Sequence, residues 1–200
     1  PFRFFATSSI DALIHAVESY LSPKANAFTR MYSTKAIHMI LAGYKRIAAE
    51  GEEARMVDLK EFQLASTFAG IAFGNAGCAA VHAMSYPLGA RYHVPHGESN
   101  YAIFTEVLKT YLRLAPEGRI QQLNAMLAEI LACDKNAVYD ELETLLNHLC
   151  PKKALHEYGV SQEELDDFTE NVMTSQGRLM ENNYTELDRD EVRAIYESLY

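Results

Sequence analysis

The chain has 200 residues, 48% of them hydrophobic and 22% charged, with only ten Gly and six Pro. That composition is globular and excludes a disordered chain, and the length can bury one sizeable core or two small ones. A formal charge of -9, with Lys and Arg scattered, excludes nucleic acid as the expected partner, because phosphate binding needs a basic face. Cys78, Cys133 and Cys150 are odd in number and lack C-x-x-C spacing, so a reducing, cytoplasmic setting is expected. The opening P-F-R-F-F-A has no basic stretch followed by an apolar one. No signal peptide is read there, and the chain is expected to be a piece of a longer polypeptide.

Pro1 to Ala6 reads as extended, and Thr7-Ser8-Ser9 offers N-caps for a first helix over roughly Ile10 to Leu21, closed by Ser22-Pro23. Leu13, Ile14, Val17 and Leu21 keep helical spacing. Asp11 and His15, four apart, project from one face, which Glu18 continues. A second helix is predicted over Ala25 to Ala49 on an apolar stripe from Phe28 to Ile47. A third starts near Ala54 and runs to about Asn75. From Phe62 to Ala90 there is no Asp, Glu, Lys or Arg, a length that raises the question of a membrane span. Gln63, Ser66, Thr67, Asn75, His82, Ser85 and Pro87, with four glycines, favour a buried central helix followed by a turn, and no membrane partner is expected.

Gly74-Asn75-Ala76-Gly77 breaks or bends that helix. A short fourth helix then carries His82 to Leu88 and stops at Gly89. Pro95 suits the opening of a fifth, from His96 to Leu114. Two more are read over Glu117 to Ala132 and Asn136 to Leu149. The capping box Ser161-Gln-Glu-Glu164 opens an eighth that ends near Thr174. After a loop from Ser175 to Leu187, holding Asn182 and Asn183, Asp188 caps a last helix to Tyr200. No strand alternation appears, so the fold class is all-α, a helical bundle-like domain.

The chemistry concentrates between Val81 and Gly97, which holds His82, His93 and His96, three of the seven histidines. Imidazoles beside so apolar a segment are costly to bury unless each ring nitrogen has a partner, and a metal ion is one such partner. Asp11 and His15 from the first helix, with His82 and His96 from either side of a Pro-Leu-Gly turn, give three nitrogens and one oxygen. That set suits a divalent first-row metal such as Fe, Zn or Mn. On spacing alone the bland reading stays open: an i,i+4 Asp/His pair is more often a surface or capping hydrogen bond, and His82 alone more often a core histidine. Cys78 reads as a small buried apolar residue and Glu18 as a hydrogen-bond partner that orients His15. His38, His148 and His156 receive no role. There is no G-x-G-x-x-G, no glycine pair and no P-loop, so these residues hold no dinucleotide or nucleoside-triphosphate cradle.

Four blocks in order, D-A-L-I-H-A-V-E, A-G-I-A-F-G-N-A-G, V-H-A-M-S-Y-P-L-G and V-P-H-G-E-S-N, resemble the iron-containing alcohol dehydrogenase family from the first helix to about residue 105. The resemblance implies a dehydroquinate synthase-like C-terminal helical domain of a two-domain enzyme, preceded by a nucleotide-binding α/β domain outside this chain. It implies that Asp11, His15, His82 and His96 bind the catalytic divalent metal, Fe2+ in the first place and Zn2+ otherwise. NAD(P) would be held mainly by the preceding domain, and the chain alone would be inactive. The substrate would be a small alcohol or aldehyde, and the full-length protein a homo-oligomer. Many relatives carry a second histidine four residues after the one matching His82, where this chain has Tyr86. That residue is either a proton-relay or substrate-orienting group, or a packed ring.

The S-Y-P-L-G and H-G-E-S-N variant is similar to the NAD-dependent 4-hydroxybutyrate dehydrogenases within the family. A substrate carboxylate wants a cation, for which Arg91 is a candidate, against its reading as a solvated surface arginine. His93 either takes part in proton transfer or faces solvent. Two other functions stay in view: a non-catalytic helical binding domain whose histidines are structural, and a metal-dependent lyase or synthase on the same scaffold.

Overall fold

In a computed structural model describing Pro1 to Tyr200, the chain forms ten α-helices and no strand. They are α1 (Phe2–Leu21), α2 (Ala27–Glu50), α3 (Leu59–Ala76), α4 (Ala80–Tyr92), α5 (His96–Leu114), α6 (Arg119–Leu131), α7 (Val138–Asn147), α8 (Glu164–Ser175), α9 (Gly177–Met180) and α10 (Arg189–Ser198). Short 3-10 turns fill Glu52–Met56 and Leu155–Tyr158. The all-α expectation holds.

The organising element is α1, which packs against α2, α3 and α5 at once. Ile10, Leu13, Ile14 and Val17 are fully buried along it, and so is Ser19, whose hydroxyl lies 2.9 Å from that of Ser33 on α2. Burying such aliphatic side chains contributes about 1.5–3 kcal/mol each, so α1 is held by its surroundings on most sides.

Several boundaries differ from the sequence expectation, two of them for a tertiary reason. The first helix begins at Phe2, not Ile10. Thr7, Ser8 and Ser9 do not cap it; their hydroxyls donate back to the carbonyls of Arg3, Phe4 and Ala6, as Ser and Thr do inside helices. The added turns are fastened by the Arg3–Glu98 ion pair at 2.8 Å and by Phe5 meeting Phe62 edge-on, with centroids 4.8 Å apart.

The fourth helix does not stop at Gly89 but runs on to Tyr92 with Pro87 inside it. Proline removes a backbone donor from a helix. The carbonyl that loses its helical donor is Ala83's; the buried hydroxyl of Tyr196 on α10 donates to the next one, Met84, at 2.6 Å, and so docks this stretch of α4 on the packed core. The third difference is minor: the segment after Gly51 is a 3-10 turn before α3 starts at Leu59, and α9 interrupts the expected Ser175–Leu187 loop.

α3 and α4 meet at a bend of 105° through Gly77, whose φ of +81° suits a residue without a side chain. No single helix is long and apolar enough to cross a membrane; α3 and α4 pass on length and composition only as this bent pair. The bend turns His82 back toward α1. At the other side of the site α5 starts against α1 so closely that a Cβ on Gly97 would lie 2.0 Å from the Thr7 carbonyl oxygen and 3.3 Å from the Asp11 Cβ.

Gly97→Ala is therefore expected to destabilise the chain by about 1–3 kcal/mol, since backbone must move to admit the methyl. Gly70→Ala, where nothing lies within 4 Å, is expected to stabilise it by about 0.5–1 kcal/mol through helix propensity. Urea unfolding midpoints of the two variants, moving in opposite directions, check the pair.

Candidate metal centre

One helical face of α1 presents Asp11 and His15, while His82 comes from the first turn of α4 and His96 opens α5. The structure brings all four to one point: one ligand-type atom from each lies within 4.8 Å of the others. The Asp11 Oδ1 is 3.5 Å from His82 Nε2 and 3.5 Å from His96 Nε2. Those separations are long for direct charged hydrogen bonds. They match the roughly 3.3–3.6 Å between ligands arranged tetrahedrally around a cation at about 2.0–2.2 Å.

The decisive group is His82. Its Nδ1 lies 2.6 Å from Glu18 Oε2, while Glu18 Oε1 accepts the Val81 backbone N–H at 2.7 Å. Both side chains are buried. One carboxylate thus fixes the ring and the backbone that carries it, and leaves His82 Nε2 buried with no hydrogen-bond partner. Native interiors rarely leave such an atom alone. The donor set and this orphaned nitrogen fit a divalent first-row cation. Glu18 was expected to orient His15; it orients His82 instead, because α4 folds back over the second turn of that face.

Asn100, one turn after His96, was not singled out from the sequence. Its Nδ2 donates to Asp11 Oδ1 at 2.7 Å and lies 3.1 Å from His96 Nε2, holding the carboxylate beside the ring. The signal was present as the last residue of the H-G-E-S-N block. The His15 ring stacks on Phe73 with centroids 4.1 Å apart and on His82 at 4.6 Å, which walls one side of the cluster.

A cavity of about 440 Å³ opens over the cluster, lined by His15, His82 and His96 and by Tyr86. The Tyr86 ring centroid is 6.3 Å from that of His96. His93 is not brought there. It ends α4 in the left-handed conformation at φ 54°, exposed, without a hydrogen bond or ring contact to the cluster. Arg91 is also elsewhere, paired with Glu164 at 2.7 Å and lying over the Phe168 ring. Cys78 is buried beside Glu18 and His82, and burial pushes its thiol up, so it stays protonated.

Electrostatics follow the packing. For His82, burial works against the charged ring, but Glu18 and Asp11 outweigh it and raise its pKa to about 12. His15 has no such partner: burial, only partly offset by Asp11, lowers it to about 4. Burial pushes Asp11 up, yet the three facing imidazoles hold it below its ordinary value. A cation entering the cluster must displace a proton from His82, so its affinity climbs with pH.

Fold and site together define an all-helical domain that gathers one carboxylate and three imidazoles, a donor set suited to a divalent cation. The chain belongs to the iron-containing alcohol dehydrogenase family: the model described as Fe-containing alcohol dehydrogenase family, C-terminal, matches residues 5–200. A 4-hydroxybutyrate dehydrogenase of Clostridium kluyveri is 49% identical over 200 residues, covering 100% of this chain and 54% of that protein. Long-chain-alcohol dehydrogenase 1 of Geobacillus thermodenitrificans is 32% identical over 208 residues, covering 100% of this chain and 51% of that one. Among solved structures, a 1,3-propanediol oxidoreductase superposes with a TM-score of 0.85 at 25% identity, covering 100% of this chain and 52% of that chain. The chain spans about half the length of the curated relatives it matches.

Two outcomes are expected of the site. Glu18→Gln removes the charge that fixes His82 and should weaken cation binding by about 10–100-fold, read by competition against a chromophoric chelator. The metal-free chain should lose stability between pH 6.5 and 4. Across that window the unfolded chain protonates His15 and the folded chain resists, at up to roughly 1.4 kcal/mol per pH unit. His82 has the opposite sign, stabilising fully below pH 6.5 and losing that contribution only as pH rises toward 12. Urea titrations of wild type and His15→Gln at pH 7 and 4.5 check this, the variant showing the smaller loss.

Proposed function

We propose that this chain is the metal-binding half of an NAD(P)-dependent alcohol dehydrogenase. Its proposed substrate is an ω-hydroxy acid such as 4-hydroxybutyrate, interconverted with succinate semialdehyde. The observation that carries the reading is the convergence of Asp11, His15, His82 and His96 with His82 Nε2 buried and unpartnered. Family membership supports the dehydrogenase class. The 49% identical relative named for 4-hydroxybutyrate supports the substrate.

Asp11, His15, His82 and His96 would hold the cation, proposed as Fe2+ from the family description, with Zn2+ compatible with the same donors. Bound there, the metal supplies Lewis acidity to the alcohol or aldehyde oxygen, and a nicotinamide supplies or takes the hydride. The remaining work belongs to the chain. Glu18 keeps the His82 Nδ1 occupied, so that Nε2 faces the cavity. Asn100 stops the Asp11 carboxylate from rotating away. The stacked Phe73 and His15 rings keep water off one side of the cluster. Tyr86 is proposed as the group that relays the alcohol proton or orients the substrate, a reading supported by its position in the cavity lining at 38% exposure. His93, exposed at the far end of α4, is assigned no part.

The test uses the full-length protein that carries this chain. Chelation should abolish aldehyde-dependent NADH oxidation, and added Fe2+ or Zn2+ should restore it. His82→Ala and Asp11→Asn should each lose the retained metal and lower kcat/KM by at least about 100-fold, more than loss of a supporting hydrogen bond would. A protein that never retains stoichiometric metal after reconstitution would make the histidines structural and the chain a binding domain. Metal-dependent turnover without NADH consumption would favour a lyase.

A further inference from the structure

We infer that Lys24 and Arg178 form an anion-reading pair that receives the remote carboxylate of the substrate at the metal cavity. The inference deepens the dehydrogenase reading and rests on it for the identity of the reaction. Sequence motifs singled out neither residue.

The cavity over the metal cluster is lined by 13 residues, among them two cations, Lys24 and Arg178, and no Asp or Glu. The chain has 27 acidic against 18 basic residues, so a lining with that balance runs against its composition. Both cations lack an ion pair, as do Arg30, Lys35, Lys45, Lys60, Arg119 and Lys135, but only Lys24 and Arg178 of these line the cavity over the cluster. Arg91, Arg113, Arg189 and Arg193 each have a carboxylate partner, as does Lys152. Unpaired cations in a concave site strengthen attraction for an anion, and a guanidinium can grip a carboxylate through two parallel hydrogen bonds.

Both residues are exposed, and it is their backbones that are anchored. The buried Ser22 hydroxyl donates to the Ala76 carbonyl at 2.6 Å and accepts the Lys24 backbone N–H at 3.1 Å. On the other side the buried Asn182 amide donates to the Cys78 carbonyl at 3.1 Å and reaches the Arg178 carbonyl at 3.4 Å. The backbones at Lys24 and Arg178 are thus both tied, through Ser22 and Asn182, to the Ala76–Cys78 turn that delivers His82 to the cluster, and their side chains line the cavity beside it. An ω-hydroxy acid fits this polarity, with its hydroxyl at the histidines and its carboxylate at the cations. Arg91, the candidate weighed from the sequence against a reading as a surface arginine, is paired with Glu164 at 2.7 Å and does not line this cavity.

A dinucleotide phosphate has the same anionic chemistry, so the experiment separates the two sources. In the metal-loaded full-length protein, Lys24→Met, Arg178→Met and the double variant are assayed with 4-hydroxybutyrate and with 1-butanol, NAD(P) being varied in each case. Loss of each charge-assisted contact should cut kcat/KM for the hydroxy acid about 10–100-fold while that for butanol and the KM for NAD(P) stay put. Arg91→Met is the control expected to change neither. Equal losses on acid and alcohol, or an effect confined to the KM for NAD(P), would overturn the assignment.

Butyrate binding, read by isothermal calorimetry, needs no turnover. It should weaken at least about tenfold in the double variant, and unchanged binding would also overturn the pair. An enzyme that oxidises butanol but ignores these substitutions refutes the anion pair and leaves the dehydrogenase reading intact. Charge-dependent butyrate binding in a protein without dehydrogenase activity does the reverse.

Discussion

The site depends on one buried carboxylate. Glu18 sits two turns along α1 from Asp11 and ties together the His82 ring and the Val81 backbone. A carboxylate this deep is expensive unless its oxygens are occupied, and here α4 occupies both. The same contact that satisfies Glu18 orients the His82 ring, aims its Nε2 at the cluster and docks α4 on α1. Stability and chemistry therefore share one interaction, and neither helix can shift without exposing an unpaired charge.

A second constraint is steric. α5 can reach Asp11 only because Gly97 has no side chain, so His96 and Asn100 arrive at the carboxylate on a helix start pressed against α1. Gly77 does the corresponding work at the α3–α4 bend, where a Cβ would lie 2.5 Å from the Asn182 amide nitrogen. Helix ends are where backbone can be turned cheaply, and His82 and His96 both lie within the opening turns of helices. The centre of α1 supplies the rigid half of the cluster, and the two helix starts supply the rest.

The cavity above the cluster combines two kinds of group. His15 stacked between Phe73 and His82 gives it an aromatic floor, whereas Lys24 and Arg178 add positive charge to its lining. Such polarity orients a ligand with an oxygen at one end and a negative charge at the other. It arises from three separate pieces of chain, the turn after α1, the α3–α4 junction and the short α9, drawn together by Ser22 and Asn182.

Much of this was legible beforehand. The helical period of α1, the i,i+4 placement of Asp11 and His15, and the P-H-G start of α5 are local facts, so the sequence by itself determined the all-helical class and the family resemblance; that resemblance, not the spacing, carried the expectation that Asp11, His15, His82 and His96 converge. Other features were decided by tertiary structure. The start of α1 at Phe2 is held by Glu98, α4 beside Pro87 is docked by Tyr196, and the pairing of Glu18 with His82 rather than His15 follows from the 105° bend. Lys24 and Arg178 carry no local mark at all. Periodicity and capping report what a segment can do with its own neighbours. A buried charge or an unpaired cation gets its meaning from groups distant in sequence, which meet only when the chain is folded.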